Sequence, residues 1–341
     1  MSQQPLRIAI VGTGRAGMIH AGNFSRSVPD ARVTAVSDAV AESRETAARD
    51  LALPASAAHA DYREAVTRDD VDAVVIATPT SLHREIAEAA AAAGKHIFCE
   101  KPMAMRVDEC DAMIAAAAKG KVNLQIGFMR RFDAGFRAAK ARVEAGEIGE
   151  VVQVKTLTHG PSYPRPWMFD LAKSNGPLAE VNSHDIDTVR WFSGGEFTEV
   201  HAIAGNYRTP EAVADYPDFY DQVLLTARLS NGAQGSISGA QGVQYAYDAR
   251  CEILGTHGLI TIGSLRGDTV MVCTREKELR SPAIVSWMNL FREAYLAEDI
   301  EFATSIREGR PPAAAGKDGR AAVAVVNAGN QSIRERKPVT L

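Results

Sequence analysis

The stretch Leu6–Phe24, LRIAIVGTGRAGMIHAGNF, constrains this 341-residue chain more than any other. Ile8, Ala9, Ile10 and Val11 make the short apolar run that a fully buried strand requires. The run stops at Gly12-Thr13-Gly14-Arg15-Ala16-Gly17, and a helical pattern follows. This is G-x-G-x-x-G at a strand-to-helix turn. Each glycine has its own reason: Gly12 permits the tight turn, Gly14 lets a pyrophosphate approach the backbone, and Gly17 lets the helix pack close to the strand. Amide N–H groups at the helix start, aided by the positive end of its dipole, then face the phosphates. Gly12, Thr13, Gly14, Arg15, Ala16 and Gly17 therefore read as a dinucleotide-binding loop, and the strand–turn–helix context carries that reading more than the glycines alone.

The next strand, Arg32–Ser37, ends at Asp38, about 20 residues past the glycines, where a carboxylate accepts hydrogen bonds from an adenosine ribose. It also repels a 2′-phosphate, so NAD is expected, with NADP the alternative. Asp38 equally suits the N-cap of a helix over Ala39–Leu51, and Arg44 is assigned to that helix's solvated face. A helix at Tyr62–Thr67 and the strand Val71–Ala77 lead to Thr78-Pro79-Thr80-Ser81. The helix Leu82–Ala93, with His83 at its opening, precedes the strand His96–Cys99, which ends in Glu100-Lys101-Pro102. The helix Val107–Ala118 and the strand Val122–Ile126 complete the series. Strands alternating with helices imply a parallel, doubly wound α/β sheet covered on both faces. Ligands of such sheets sit beyond the carboxyl ends of the strands. Gly12–Gly17, Asp38, Thr78–Ser81 and Glu100–Pro102 are thus expected to converge, with Thr78, Pro79, His83, Glu100 and Lys101 on the cofactor.

Past Gly127 the pattern changes. Strand-like runs at Val151–Thr158, Glu199–Ala204, Gln222–Leu229, Ala233–Gly239, Arg250–Leu254, Leu259–Ile262 and Val270–Cys273 follow with few helices between them. Asn231-Gly232 is a hairpin signal. The loop His159–Pro177 is long enough to read as a binding loop, and helices at Asn289–Arg307 and Gly319–Arg336 close the chain. The expected organisation is a Rossmann domain over 1–126, followed by an α+β domain over 127–341 with a large, mainly antiparallel open sheet. A net charge of −4 with 23% charged residues excludes an electrostatic case for nucleic acid. Cys99, Cys110, Cys251 and Cys273 lack metal-like spacing and read as free buried thiols. No segment reads as a leader or membrane span, so a cytoplasmic protein is expected.

Two clusters carry chemistry. Lys101 sits at a strand terminus on the cofactor side, and Pro102 restricts its backbone away from the helical region. Glu180-x-x-x-His184-Asp185-x-Asp187 falls within a helix expected over Leu178–Phe192, where residues four apart share a face. A carboxylate beside an imidazole fixes its tautomer and raises its basicity. Taken singly, each has a structural explanation: a surface lysine beside a glutamate, and a helical ion pair. No metal site is expected. His20, Trp191 and Trp287 are assigned to packing, and Cys99 to the core.

Taken together, these segments resemble the glucose–fructose oxidoreductase/inositol dehydrogenase/MocA family along essentially the whole chain. The residues that carry the resemblance are GTGRAG (Gly12–Gly17), ATPTSLH (Ala77–His83), GKHIFCEKPMA (Gly94–Ala104), GFMRRFD (Gly127–Asp133), the run Gly146–Gly149 and HDID (His184–Asp187). GFMRRFD and HDID resemble its inositol and sugar dehydrogenase branch. The resemblance implies NAD(P)-linked oxidation of a secondary hydroxyl on a cyclitol or sugar by a homodimer or homotetramer. Lys101, His184 and Glu180 take the catalytic places. Arg131, His159 and Tyr245 join them on the substrate, with Glu180 standing where the family usually has aspartate. Tyr245 and Tyr247 are expected on one face by strand alternation. Two other functions fit the same residues: a glycoside hydrolase that oxidises its substrate transiently with NAD, and a non-catalytic NAD-binding regulator.

Overall fold

The computed structural model describes residues 4–341. The chain folds as two compact units, one ending at Phe132 and joined by Glu293–Val323, the other Asp133–Arg292 with Ala324–Leu341.

The first unit is built on six strands: β1 (Leu6–Val11), β2 (Ala31–Ser37), β3 (Ala58–His59), β4 (Ala73–Ile76), β5 (His96–Cys99) and β6 (Leu124–Ile126). They lie in the order β3-β2-β1-β4-β5-β6, every pair parallel. The order reverses at β1, the switch point at which such sheets bind ligands. A parallel sheet must be covered on both faces, and β4 is buried at every residue. Its core includes Ile8, Ile10, Phe24, Val36, Val75, Phe98 and Phe302.

Phe302 shows where the expected boundaries differ from the observed ones. It belongs to the helix Arg292–Arg307, placed by the sequence in the second domain, yet its ring meets Phe24 and Phe98 edge-on at centroid distances of 6.4 and 5.7 Å. Leu296, Ile300 and Ile306 add an apolar stripe on the same cluster, so the helix returns to the first unit to cover its sheet. The first crossing falls at Phe132/Asp133 rather than Ile126/Gly127. Met129–Phe132 is a buried 3-10 turn, and Asp133 then caps the helix Ala134–Glu144 by accepting from the Gly135 and Phe136 amides.

The second unit holds β7 (Val151–Gly160), β8 (Phe197–Gly205), β9 (Gln222–Leu229), β10 (Gln234–Gln241), β11 (Asp248–Gly255), β12 (Leu259–Ile262), β13 (Val272–Cys273), β14 (Leu279–Arg280) and β15 (Val339–Thr340). Seven of these form a mixed sheet in the order β12-β11-β7-β10-β9-β8-β15. Only β7 and β10 pair in parallel; the other neighbours are antiparallel. β9 and β11 alternate buried and exposed residues, as a sheet with one covered face requires. On the other face Ile203, Leu224, Leu254 and Leu259 are exposed. The Asn231-Gly232 hairpin forms between β9 and β10, with Gly232 at φ +86°. The expected strand Val270–Cys273 shortens to β13, paired only with β14. Its Cys273 is exposed, unlike the other three free cysteines, which corrects the reading of four buried thiols. No helix among the described residues is long and apolar enough to cross a membrane.

Candidate functional site

In the first unit the glycine turn meets its requirements by measurable geometry. Gly12 has φ +93°, and a Cβ there would lie 2.6 Å from the Ala77 carbonyl. At Gly17 a Cβ would lie 1.9 Å from the Gly12 carbonyl oxygen, so the helix Arg15–Arg26 could not sit where it does. Gly14 differs: a Cβ there would meet no atom within 4 Å. The protein does not need that space, which fits close approach of a ligand. The helix start has no side-chain cap and no acid in its first turn, leaving its amides and dipole to an anion. Thr78, after β4, adds a buried hydroxyl with no hydrogen-bond partner. These features fit a dinucleotide diphosphate.

Asp38 ties the second strand to this turn. Its Oδ2 accepts from the Thr13 amide at 2.8 Å and the Thr13 hydroxyl at 2.9 Å, and its Oδ1 accepts from the Val40 amide at 2.9 Å. The carboxylate thus braces the Gly12–Gly17 turn, but it is not the N-cap expected of it: the helix runs Ala41–Asp50, with Val40 at its N-cap and no side-chain cap. Arg44 is not on a solvated face: it is half-buried, and its Nη1 donates to the Asp38 carbonyl at 2.7 Å. The guanidinium is therefore held at the Asp38 backbone.

His83 is buried at 1% exposure, with Nδ1 at 2.9 Å from the Pro102 carbonyl and Nε2 at 2.9 Å from the Thr78 carbonyl. It braces the loops after β4 and β5, and burial lowers its pKa. Glu100 is likewise drawn inward. Its Oε2 accepts from the Lys101 amide at 3.1 Å, while its Oε1 meets His20 Nε2 at 3.0 Å. His20 Nδ1 lies 2.7 Å from Asp299 Oδ1, and Asn23 Nδ2 donates to Asp299 Oδ2 at 2.8 Å. Burial disfavours charge on His20, but the Asp299 and Glu100 carboxylates outweigh it and hold the imidazolium well above its ordinary pKa. Burial likewise opposes ionisation of Glu100, yet His20, followed by Lys101, keeps its carboxylate below the usual range. Reading His20 as packing missed this cluster. Its anchor lies 279 residues away, so no local pattern announces it.

Arg131 is also engaged within this unit. Its exposure is 9%, its Nη1 donates to the Ala313 carbonyl at 3.0 Å, and its Nη2 pairs with Asp318 at 3.2 Å.

In the second unit the expected helix Leu178–Phe192 is two helices, Gly176–Glu180 and Ser183–Ser193. Glu180 and His184 therefore do not share the face of one continuous helix. The break has a local cause: the Val181 and Asn182 amides both turn back to the Pro177 carbonyl, and the Ser183 hydroxyl donates to the Ala179 carbonyl. Glu180 is half-buried, and His184 is 6% exposed. The next residue, Asp185, is fully buried. It accepts from the Thr156 and Thr158 hydroxyls at 2.7 Å each and from Asn182 Nδ2 at 2.8 Å. Gly239 leaves room for that asparagine, since a Cβ there would lie 1.9 Å from Asn182 Oδ1. Asp185 thereby fastens the helix that carries His184 to β7.

His159 and Tyr245, expected on the substrate, come together. His159 Nδ1 is 2.7 Å from the Tyr245 hydroxyl, and its Nε2 is 2.9 Å from the Ser238 hydroxyl. Tyr245 also reaches Asp248 Oδ2 at 3.1 Å, and Arg250 grips the same carboxylate at 2.7 and 2.9 Å. Burial lowers the His159 pKa. Burial and the Asp248 charge push the Tyr245 phenol up to about 12. Tyr245 and Tyr247 do not share a face: Tyr245 is 50% exposed and Tyr247 6%. Both precede β11, so strand alternation does not govern them. Among the described residues no group of three or more His, Cys, Asp or Glu is arranged to hold a metal ion.

A Rossmann sheet in this order, with this glycine turn and an acid at the end of β2, defines an NAD-binding oxidoreductase domain. Residues 6–128 match the family model of the oxidoreductase family with an NAD-binding Rossmann fold, and 136–261 match the C-terminal domain of the same family. The chain belongs to the GFO/IDH/MocA oxidoreductase family. It is 33% identical to myo-inositol 2-dehydrogenase of Thermotoga maritima, over 98% of each chain. Identity to inositol 2-dehydrogenase of Rhizobium meliloti is 34%, over 98% of this chain and 99% of that one. The crystal structure of scyllo-inositol dehydrogenase from Lactobacillus casei, with bound NAD(H) and scyllo-inositol, superimposes with a TM-score of 0.88 at 27% identity. That match covers 98% of this chain and 99% of the other.

Proposed function

We propose that this protein is an NAD-dependent cyclitol dehydrogenase that oxidises a secondary ring hydroxyl of an inositol to the ketone. The observation that carries the reading is the set of groups at the carboxyl ends of β1, β2, β4 and β5: Gly12–Gly17, Asp38, Thr78 and Lys101. The inositol dehydrogenases among its relatives supply the substrate class. NAD, when bound, accepts the hydride from the carbinol carbon. The Gly14 gap and the uncapped helix start receive its diphosphate, Asp38 its ribose, and Thr78 and Pro79 the side next to the nicotinamide.

The protein's own groups handle the proton. His184 removes it from the hydroxyl as general base, with Glu180 or Asp187 orienting the imidazole. Lys101 donates a hydrogen bond to the same oxygen and stabilises its developing negative charge. His159 and Tyr245, linked to each other and backed by Asp248 and Arg250, hold further ring hydroxyls, with Arg131 assigned to the same task. The first unit binds the nucleotide, and the second binds substrate and assembles the homo-oligomer. The exposed Ile203, Leu224, Leu254 and Leu259 support that sheet face as the contact between copies. The free cysteines suit a reducing cytoplasm.

Incubation with NAD and a panel of inositols, hexoses and glycosides, followed at the NADH absorbance and for glycoside cleavage, tests the reading. NADH formation with an inositol is expected, and it should vanish in Lys101→Ala while NAD binding persists. Cleavage without NADH, or neither signal, overturns it.

A further inference from the structure

The buried cluster behind Lys101 does more than fill the core. Glu100 uses one carboxylate oxygen on the Lys101 amide and the other on His20, and His20 is held from behind by Asp299, itself fixed by Asn23. His20 and Asp299 are fully buried and Glu100 is 6% exposed. The rings of Phe98 and Tyr295 pack beside His20, 4.6 and 5.6 Å from the imidazole centroid. Two carboxylates and one imidazole thus meet out of water, directly beside the residue that carries the amine.

We propose that His20 is a positioning residue for Lys101: by occupying the Glu100 carboxylate it keeps that group on the Lys101 backbone amide and off the Lys101 ammonium. Without the imidazolium the Glu100 carboxylate is left buried and uncompensated; the Lys101 charge already acts on it, and on this proposal the amine turns toward it and away from the substrate oxygen. The inference rests on the dehydrogenase reading above, because it assigns Lys101 its work.

The test is a double-mutant cycle on the full-length enzyme with NAD and an inositol. His20→Gln should lower kcat about tenfold or more while leaving KM for NAD within about threefold. Adding Glu100→Gln, which removes the charge that would capture Lys101 but can still accept from its amide, should restore kcat to within about threefold of Glu100→Gln alone. Losses that add, with no recovery in the double variant, or a KM for NAD that rises along with the fall in kcat, overturn the proposal. Should His20→Gln fail to fold, the double variant against Glu100→Gln alone carries the same test, and a further tenfold loss there overturns it. Wild-type enzyme that forms no NADH with any inositol defeats the functional reading. An active wild type with an equally active His20→Gln variant defeats only this inference.

Discussion

Thr13 gives both its amide and its hydroxyl to one oxygen of Asp38, at 2.8 and 2.9 Å. The acid expected to select the cofactor is thus also a strut of the glycine turn, and Arg44 is bonded to its carbonyl. Removing the carboxylate therefore loosens the grip on NAD and uncovers a guanidinium suited to a 2′-phosphate. Asp38→Ser should lower the NAD-to-NADP ratio of kcat/KM by about tenfold or more, since hydrogen bonds to charged groups are worth about 1.5–3 kcal/mol. Adding Arg44→Ala should cancel any gain with NADP. Initial rates with both cofactors decide it, and an unchanged ratio in Asp38→Ser removes the acid from that role.

The two glycines of the turn should fail in different ways. Gly17→Ala places a methyl 1.9 Å from the Gly12 carbonyl, which should cost about 2 kcal/mol or more and lower the melting temperature. Gly14→Ala meets nothing within 4 Å, so its melting temperature should match wild type while NAD affinity drops about tenfold. Thermal melts beside NADH fluorescence titrations separate them, and equal melting losses in both variants would contradict the assignment of the Gly14 space to the ligand.

Asp185 should matter to stability and activity together. It is fully buried, and Ala in its place removes the one carboxylate that accepts from the Thr156 and Thr158 hydroxyls and the Asn182 amide. The expected loss is about 2–4 kcal/mol, and turnover should fall with it because the His184 helix loses its fastening to β7. An Asp185→Ala variant that melts like wild type would show that the three bonds contribute nothing.

Stability should decline on acidification from about pH 6.5 to 5. Burial chiefly lowers the pKa of His83, His96 and His159 in the fold, whereas an unfolded histidine titrates near about 6.5. Below that pH the unfolded chain binds more protons than the native one, and the linkage favours unfolding. His20 acts in the opposite sense, since its pKa is raised: its contribution is complete below about 6.5 and is lost only as the pH rises through the native value. Melting temperatures across this window test the sum, and His83→Gln should flatten part of the slope. A melting temperature that climbs between pH 6.5 and 5 is incompatible with these neutral histidines.

The local features of this protein were legible in its residues. The glycine turn, the alternation of strands and helices, the acid after β2, the hairpin at Asn231-Gly232 and the alternating second sheet all follow from sterics and periodicity within a few residues. The family resemblance singled out Lys101 and His184 for the chemistry proposed above. Tertiary structure alone decided the rest. It brought Arg44 onto the Asp38 carbonyl and paired Arg131 with Asp318. It also sent Phe302 back to the nucleotide sheet and set His20 against Asp299 across 279 residues. Periodicity records which residues leave water. Which charges then face one another depends on how distant segments close over a shared interior, where each buried ion must find its counterion.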